Sequence, residues 1–477
     1  SRYQGSKHPK NSSNNLSNSP DWMKTLSLWF LILLGSVLLQ AKPNVVVFFT
    51  DDQGTLDAGC YGSNDLLTPA IDKLAKTGVR FTQAYAHTVC CPARAALMTG
   101  RHPQRSGVNH WTQGDMNSVK GINMALEEVT MAEILKRAGY RTALFGKWHL
   151  GAHREYGPKK QGFDEFFGIR DGFIDNYNHY FLHGTGFHDL YEGTKPVKVP
   201  GEYFPELMTE RSLDFIEESK DKPFFLYFPL NIPHYPEQAP AEFAEPFKGM
   251  TEPARKSYAT IMNATDHYIG RILDKVEELG LRKDTLIIFM SDNGHSEETT
   301  NRIRVDNHNS GHPRGFFYGA SGGGFTGKWA GQKGTFLEGG IRVPAIISYP
   351  SKVPMGESRN QIITAMDWLP TIMDLCDIKY REEDPELDGH SIVRILENPK
   401  AKSGYQGVLN FQWHKKWAIR MHEWKLIGRE GANNYQLFRL TDNEPERINY
   451  AKDRKDILDE ILQIREAWKK DVFSSEG

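Results

Sequence analysis

The apolar residues of this chain fall into runs that stop abruptly at polar clusters. Residues 45–49 (Val-Val-Val-Phe-Phe) are unbroken β-branched and aromatic, as in a central parallel strand buried on both faces, and they run into Thr50-Asp51-Asp52-Gln53-Gly54. Thr68-Pro69 reads as the capped start of a helix carrying Ile71 and Leu74. Thr130-x-x-Glu133 is a capping box, and the helix it opens closes at Gly139. The strand predicted over 142–145 ends in Gly146-Lys147-Trp148-His149-Leu150-Gly151. A helix around 208–216 leads to a strand over 224–228, which ends in Asn231-Ile232-Pro233-His234. A long amphipathic helix follows, with Tyr258, Ile261, Met262, Ile269, Ile272 and Val276 on its apolar side and Gly280 as its stop. The strand over 285–290 then ends in Ser291-Asp292-Asn293-Gly294.

Buried strands alternating with helices predict an α/β fold with a large mixed, mostly parallel sheet flanked by helices. Ligands of such sheets bind at the carboxyl ends of the strands, and four strands here end in charged or amide residues. Two long irregular stretches, 171–203 (rich in Tyr, His, Phe and Gly) and 296–330 (rich in Gly, His and Asn), read as functional loops. After a strand over 343–348 and a helix near 365–375 the chain changes character. Short pieces at 417–421, 424–427 and 436–440, with an amphipathic helix over 457–468, predict a small C-terminal antiparallel sheet with a helix packed on it.

Composition narrows the class. The 477 residues, 39% hydrophobic, supply ample core, and the net charge of -2 offers no global field for nucleic acid, so any anion binding is local. Four cysteines are too few for a disulfide framework at this length. Met23-Lys24, an apolar run over 26–39 and Gln40-Ala41 read as a signal peptide (23–41), too short to span a bilayer, which predicts a secreted or periplasmic protein with no stable membrane span after cleavage. Residues 1–22, polar and rich in Ser and Asn, precede it and read as a non-native or misassigned extension.

The candidate chemistry gathers around Cys90. Pro92 suits the first turn of a helix, Ala95 to Met98 continue it, and Gly100 can end it in a left-handed turn. Cys90 and Cys91 therefore stand at a helix N-terminus, where free N–H groups favour an anion, and Arg94 lies one turn further on. Alone, the stretch reads equally well as a buried cysteine pair on a core helix. Asp51, Asp52, Asp292 and Asn293 offer only oxygen ligands, a set that suits Ca²⁺, and Mg²⁺ less well; each taken singly also fits turn and cap chemistry.

Cys90-x-Pro92-Ala93-Arg94 followed by Leu97-x-Thr99-Gly100-Arg101 resembles the signature of the type I, formylglycine-dependent sulfatases of the alkaline phosphatase-like superfamily. Ala93 stands where serine is commoner, a variant closer to the bacterial arylsulfatase and polysaccharide sulfatase type. The resemblance implies that Cys90 is converted to Cα-formylglycine by a formylglycine-generating or anaerobic sulfatase-maturating enzyme. It further implies that Asp51, Asp52, Asp292, Asn293 and an oxygen of residue 90 hold calcium. Gly-Lys-Trp-His-Leu-Gly matches a family motif whose Lys147 and His149 line the sulfate pocket; His234 and Lys333 match further pocket positions, whereas Glu338 and Arg342 read as scaffold.

On that resemblance the catalytic set is Cys90, Arg94, Lys147, His149, His234 and Lys333, with Lys147, His234 and Lys333 touching the substrate. The catalytic domain would span 42–385 and a C-terminal α+β subdomain 386–477. The expected reaction removes sulfate from a sulfated carbohydrate or an aryl sulfate. The alternatives are a phosphonate monoester or phosphodiester hydrolase of the same superfamily, a two-metal phosphatase, and an inactive glycan-binding relative.

Overall fold

The computed structural model describes residues 42–112, 121–182, 186–298 and 322–473. The expected signal peptide, the extension before it and parts of both long loops lie outside these residues. Seven principal strands build the main sheet: β1 (Asn44–Asp51), β2 (Val79–Tyr85), β3 (Arg141–Lys147), β4 (Glu165–Ile169), β5 (Phe224–Pro233), β6 (Thr285–Ser291) and β7 (Arg342–Ser348). Every residue of β1 is buried. Val45, Val47 and Phe49 belong to one apolar core, Val46 and Phe48 to the other, so the two-residue alternation of a strand serves two cores at once.

β1 lies between β5 and β6 and runs parallel to both; β3 and β4 continue the parallel set beyond β5. On the far side β7 is antiparallel to both β6 and β2. Short strands at Tyr191–Glu192, Lys195–Pro196, Glu357–Arg359 and Ile363–Thr364 complete a mixed, mostly parallel eleven-stranded sheet. Because β1, β3, β5 and β6 point the same way, their carboxyl ends meet on one edge, with Asp51 opposite Pro233 and Thr50 opposite Ser291 in register. That alignment brings together residues up to 241 positions apart in sequence.

Helices cover both faces. α1 (Pro69–Lys76), α4 (Phe204–Ser219) and α5 (Pro253–Glu278) close one core. α2 (Cys90–Thr99), α3 (Met131–Arg137) and α6 (Trp368–Leu375) close the other. The capping box at Thr130 and Glu133 forms with both arms present. Thr68, read as a cap from its position before Pro69, makes no such bond. Asp266 of α5 accepts from the N–H groups of Ala70 and Ile71 at 2.9 Å each, and Thr68 accepts from Gly59 instead. A buried carboxylate from a packed neighbour has taken over the cap.

A second, four-stranded antiparallel sheet comprises β8 (Val408–Trp413), β9 (Lys416–Met421), β10 (Trp424–Arg429) and β11 (Gln436–Arg439), backed by α7 (Lys455–Val472). The sequence pattern points to three of these strands and the helix; β8 is not visible in it, nor are β2 and β4. No helix among the described residues is long and apolar enough to cross a membrane.

Candidate active site

Each site residue is set by a local device. α2 starts at Cys90, with all ten residues buried, and ends where Gly100 adopts φ 66° and donates to Ala96. Beyond β1 the chain turns at Asp52, whose φ of 64° re-aims the second carboxylate, and the Asp52 N–H donates to Asp292 Oδ1 at 3.2 Å. Gly294 after Asn293 cannot be replaced cheaply, since a Cβ there would sit 1.8 Å from the Gly339 carbonyl oxygen. The segment after β3 leaves the extended geometry of that strand. His149 has φ 55°, and this left-handed turn, rather than strand alternation, sets its ring. The Lys333 segment is tied to the Cys90 segment, because the Gly334 N–H donates to the Thr88 carbonyl at 2.7 Å.

The predicted residues converge. One oxygen or sulfur from each of Asp51, Cys90 and Asp292 lies within 4.8 Å of the others, and Asp51, Asp52 and His234 form an overlapping group. Lys147 Nζ donates to Asp51 Oδ2 at 2.6 Å, Arg94 Nη2 to Asp292 Oδ2 at 2.7 Å, and Lys333 Nζ to Asp52 Oδ2 at 2.9 Å. Asn293 Nδ2 donates to Asp52 Oδ1 at 2.7 Å. His234 Nε2 stands 3.5 Å from Asp52 Oδ2, and its Nδ1 meets the Tyr235 carbonyl at 2.5 Å, which assigns the proton to Nδ1 and leaves Nε2 facing the pocket. His149 Nε2 lies 3.9 Å from Asp171, too far for a hydrogen bond, and neither ring nitrogen of His149 has a hydrogen-bond partner.

Burial dominates the electrostatics. It pushes Asp52 up to about 8, with Lys333 opposing and Asp51 and Asp292 reinforcing, and Asp292 up to about 6, with Asp51 reinforcing and Arg94 opposing. Burial also raises the Cys90 thiol despite Lys147 and Lys333, so an unmodified cysteine here is a poor thiolate nucleophile. Lys147 and Lys333 stay cationic because Asp51 and Asp52 outweigh their burial. Both imidazoles are pushed well down, first by burial and then by the cations around them.

Two buried oxygens, Asp51 Oδ1 and Asn293 Oδ1, have no hydrogen-bond partner. Orphaned oxygens beside carboxylates held against their own burial are what a hard cation satisfies, so Asp51, Asp52, Asp292 and Asn293 fit a divalent metal supported by residue 90.

Sequence reasoning missed four neighbours. Glu298 sits 3.3 Å from Lys333 Nζ and 3.9 Å from His234 Nε2; burial works against its ionised form, but Lys333 prevails and holds it down to about 2. Asp171 faces His149, Trp111 lies parallel to His149 at 6.2 Å, and Phe173 stacks on His234 at 5.2 Å. None belongs to a motif; Asp171, Phe173 and Glu298 fall in the two long irregular loops. Glu338 and Arg342 lie outside the cluster, as expected of scaffold: Glu338 accepts from Tyr85 at 2.8 Å and from Arg342 at 3.1 Å, and pairs with Lys425 at 2.6 Å.

Comparison with known proteins follows the same lines. The sequence model described as Sulfatase matches residues 43–378, and the one described as N-sulphoglucosamine sulphohydrolase, C-terminal, matches 329–470. Arylsulfatase A of Homo sapiens is 32% identical over 389 residues, 77% of this chain and 70% of that protein. Arylsulfatase J of Mus musculus is 30% identical over 421 residues, 83% of this chain and 66% of that protein, so this chain spans about two thirds of the length of these relatives. The crystal structure of Ps i-CgsB superposes with a TM-score of 0.75 at 29% identity, covering 90% of this chain and 92% of that one. A structure of Ps i-CgsB in complex with k-i-k-neocarrahexaose gives 0.74 at 28%, again covering 90% and 92%.

Proposed function

The chain belongs to the sulfatase family, and on that premise we propose that it hydrolyses a sulfate monoester of a carbohydrate, using formylglycine made from Cys90 and a bound calcium ion. The observation that carries this reading is the single buried cluster in which Cys90, Asp51 and Asp292 present their atoms within 4.8 Å while Arg94, Lys147 and Lys333 each pair with one of its carboxylates. Four carboxylates (Asp51, Asp52, Asp292 and Glu298) face the three cations there, so a divalent ion would still leave a small net positive charge into which an anionic ester fits. The carbohydrate is favoured by the aromatic, polar loop 171–203 and by the similarity to a protein solved with neocarrahexaose.

When present, the cation would neutralise the carboxylates and act as a Lewis acid, and the hydrated aldehyde of residue 90 would supply the attacking oxygen. The protein's own groups do the rest. Arg94, Lys147 and Lys333 are preorganised donors for the nonbridging sulfate oxygens. An anion arriving beside His234 Nε2 raises that ring's hold on a proton, so that Nε2 takes one up from solvent as the substrate binds and then passes it to the leaving oxygen. His149, neutral and with both ring nitrogens unpartnered, is suited to receive a proton as sulfate departs.

The test is a parallel assay of the matured protein on 4-nitrophenyl sulfate, a sulfated galactan oligosaccharide, a phosphodiester and a phosphonate monoester, with the mass of the residue-90 peptide measured on the same sample. Sulfate release that tracks the formylglycine-containing fraction is expected. Faster turnover of the phosphorus substrates, or release by protein with an unmodified Cys90, would overturn the reading.

A further inference from the structure

The small sheet carries an unusual pair. Lys416 of β9 lies directly opposite Arg429 of β10 in the antiparallel register. Like charges in that relation destabilise a sheet, so the pair has a cost in the free protein. Both side chains are exposed, and neither has an ion pair or side-chain hydrogen bond among the described residues. The adjacent carboxylate does not relieve them: Glu430 is committed to Arg465 and, at 3.0 Å, to Lys469.

Lys416 and Arg429 line one wall of an open cavity of about 300 Å³, joined by the amides Asn434 and Gln436, and no acidic residue lines it. The opposite wall is formed by residues 334–337, which begin at the residue after Lys333 and are bonded through Gly334 to Thr88, two positions before Cys90. The β8–β9 turn reaches the other flank of the site as well. His414 meets His110 at 3.8 Å between ring centroids, and Trp413 meets Trp111, the ring that faces His149, at 5.3 Å. One hairpin thus touches Trp111, the ring that faces His149, and shares a cavity with the segment that follows Lys333.

Resting on the sulfatase reading above, we propose that Lys416 and Arg429 form a second anion subsite, which binds a sulfate or carboxylate on a sugar neighbouring the one that is desulfated. The substrate is then a carbohydrate chain charged on more than one residue, and the cost of two opposed cations is offset when the oxyanion lies between them.

The test compares the parent with Lys416→Gln, Arg429→Gln and the double variant on two probes, a sulfated galactan hexasaccharide carrying several sulfates and 4-nitrophenyl sulfate. The KM for the hexasaccharide should rise about tenfold or more in the double variant and depend less on salt, as expected for one lost charge-assisted contact, with kcat unchanged. Both constants for 4-nitrophenyl sulfate should be unchanged, and the melting temperature should stay level or rise, because the repulsion is gone. An unchanged KM for the hexasaccharide overturns the subsite, as does an equal loss on both probes. So does a variant that loses only a thermal shift given by inorganic sulfate, which marks a free-ion site. If the parent releases no sulfate from either probe, the catalytic reading fails by itself. Calorimetric binding of the hexasaccharide then decides the subsite: weaker in the double variant supports it, equal binding removes it.

Discussion

Two buried ionic clusters in this molecule use similar residues to opposite ends. Around Lys425 the carboxylates of Glu338 and Glu446 are closed by ion pairs, although Glu338 Oε1 has no hydrogen-bond partner. Lys425 Nζ lies 2.6 Å from Glu338 and 2.8 Å from Glu446, and the other Glu338 oxygen accepts from Tyr85 and Arg342. Glu446 in turn accepts from the Glu338 N–H at 2.8 Å. Around Cys90 the cluster is open: Asn293 keeps a buried oxygen without a hydrogen-bond partner, Asp51 Oδ1 has only Arg94 at 3.8 Å, and His149 has both nitrogens free of hydrogen bonds. The closed cluster ties the small sheet to the main one, while the open one offers acceptor oxygens that a cation could use. Buried charge alone therefore does not mark an active site; what sets the Cys90 cluster apart is that acceptor oxygens and both His149 nitrogens lack hydrogen bonds within one group of charged side chains.

Substitutions that separate the two clusters should differ in kind. The largest effect is expected at Cys90→Ser. The variant should fold and bind substrate yet fail to turn over, so repeated turnovers in a sulfate-release assay, with the introduced serine confirmed unmodified by mass, would contradict the role given to residue 90. Next comes Lys425→Met, which leaves the buried Glu446 carboxylate without its ion pair and Glu338 with Arg342 alone, and should cost about 3–5 kcal/mol of stability in denaturant melts. Its response to calcium should persist. If the thermal gain on adding calcium vanished instead, the two clusters would not be independent.

Lys333→Ala should act the other way. One lost preorganised donor is worth about 10²–10³-fold in kcat, whereas the melting temperature should move much less than in Lys425→Met. Equal losses of stability in the two variants would erase the distinction between open and closed. The smallest effect is in acid. Burial opposes ionisation of Glu338, but Lys425, Arg342 and Arg420 outweigh it and hold the carboxyl at about 2, below its ordinary 4.5. Its folded value is below its unfolded one, so the stability it adds is complete above pH 4.5 and drains away as pH falls toward 2. Melts across that window should show a shallower acid slope in Glu338→Gln; an unchanged slope would place the acid sensitivity elsewhere.

Much of the open cluster is legible in the sequence. Residues 45–49 read as a strand buried on both faces, Gly100 as a left-handed stop, and four strands ending in polar clusters as a shared edge. The closed cluster is less legible. Glu338 can be read as scaffold, yet its partners Lys425 and Glu446 stand in sequence like ordinary surface charges.

The sequence by itself determined the α/β alternation, because strand burial and helix capping are local properties that a few adjacent residues express, and the resemblance of its motifs to the sulfatases supplied the candidate nucleophile at Cys90 and the calcium ligand set. Only the tertiary structure decided the turned backbone at His149, the cap that Asp266 lends to α1, the approach of Glu298 and Asp171 to the site, and the opposition of Lys416 and Arg429. Each depends on the register between elements far apart in the chain. Register is set by the packing of whole faces against one another, which no single stretch of sequence carries.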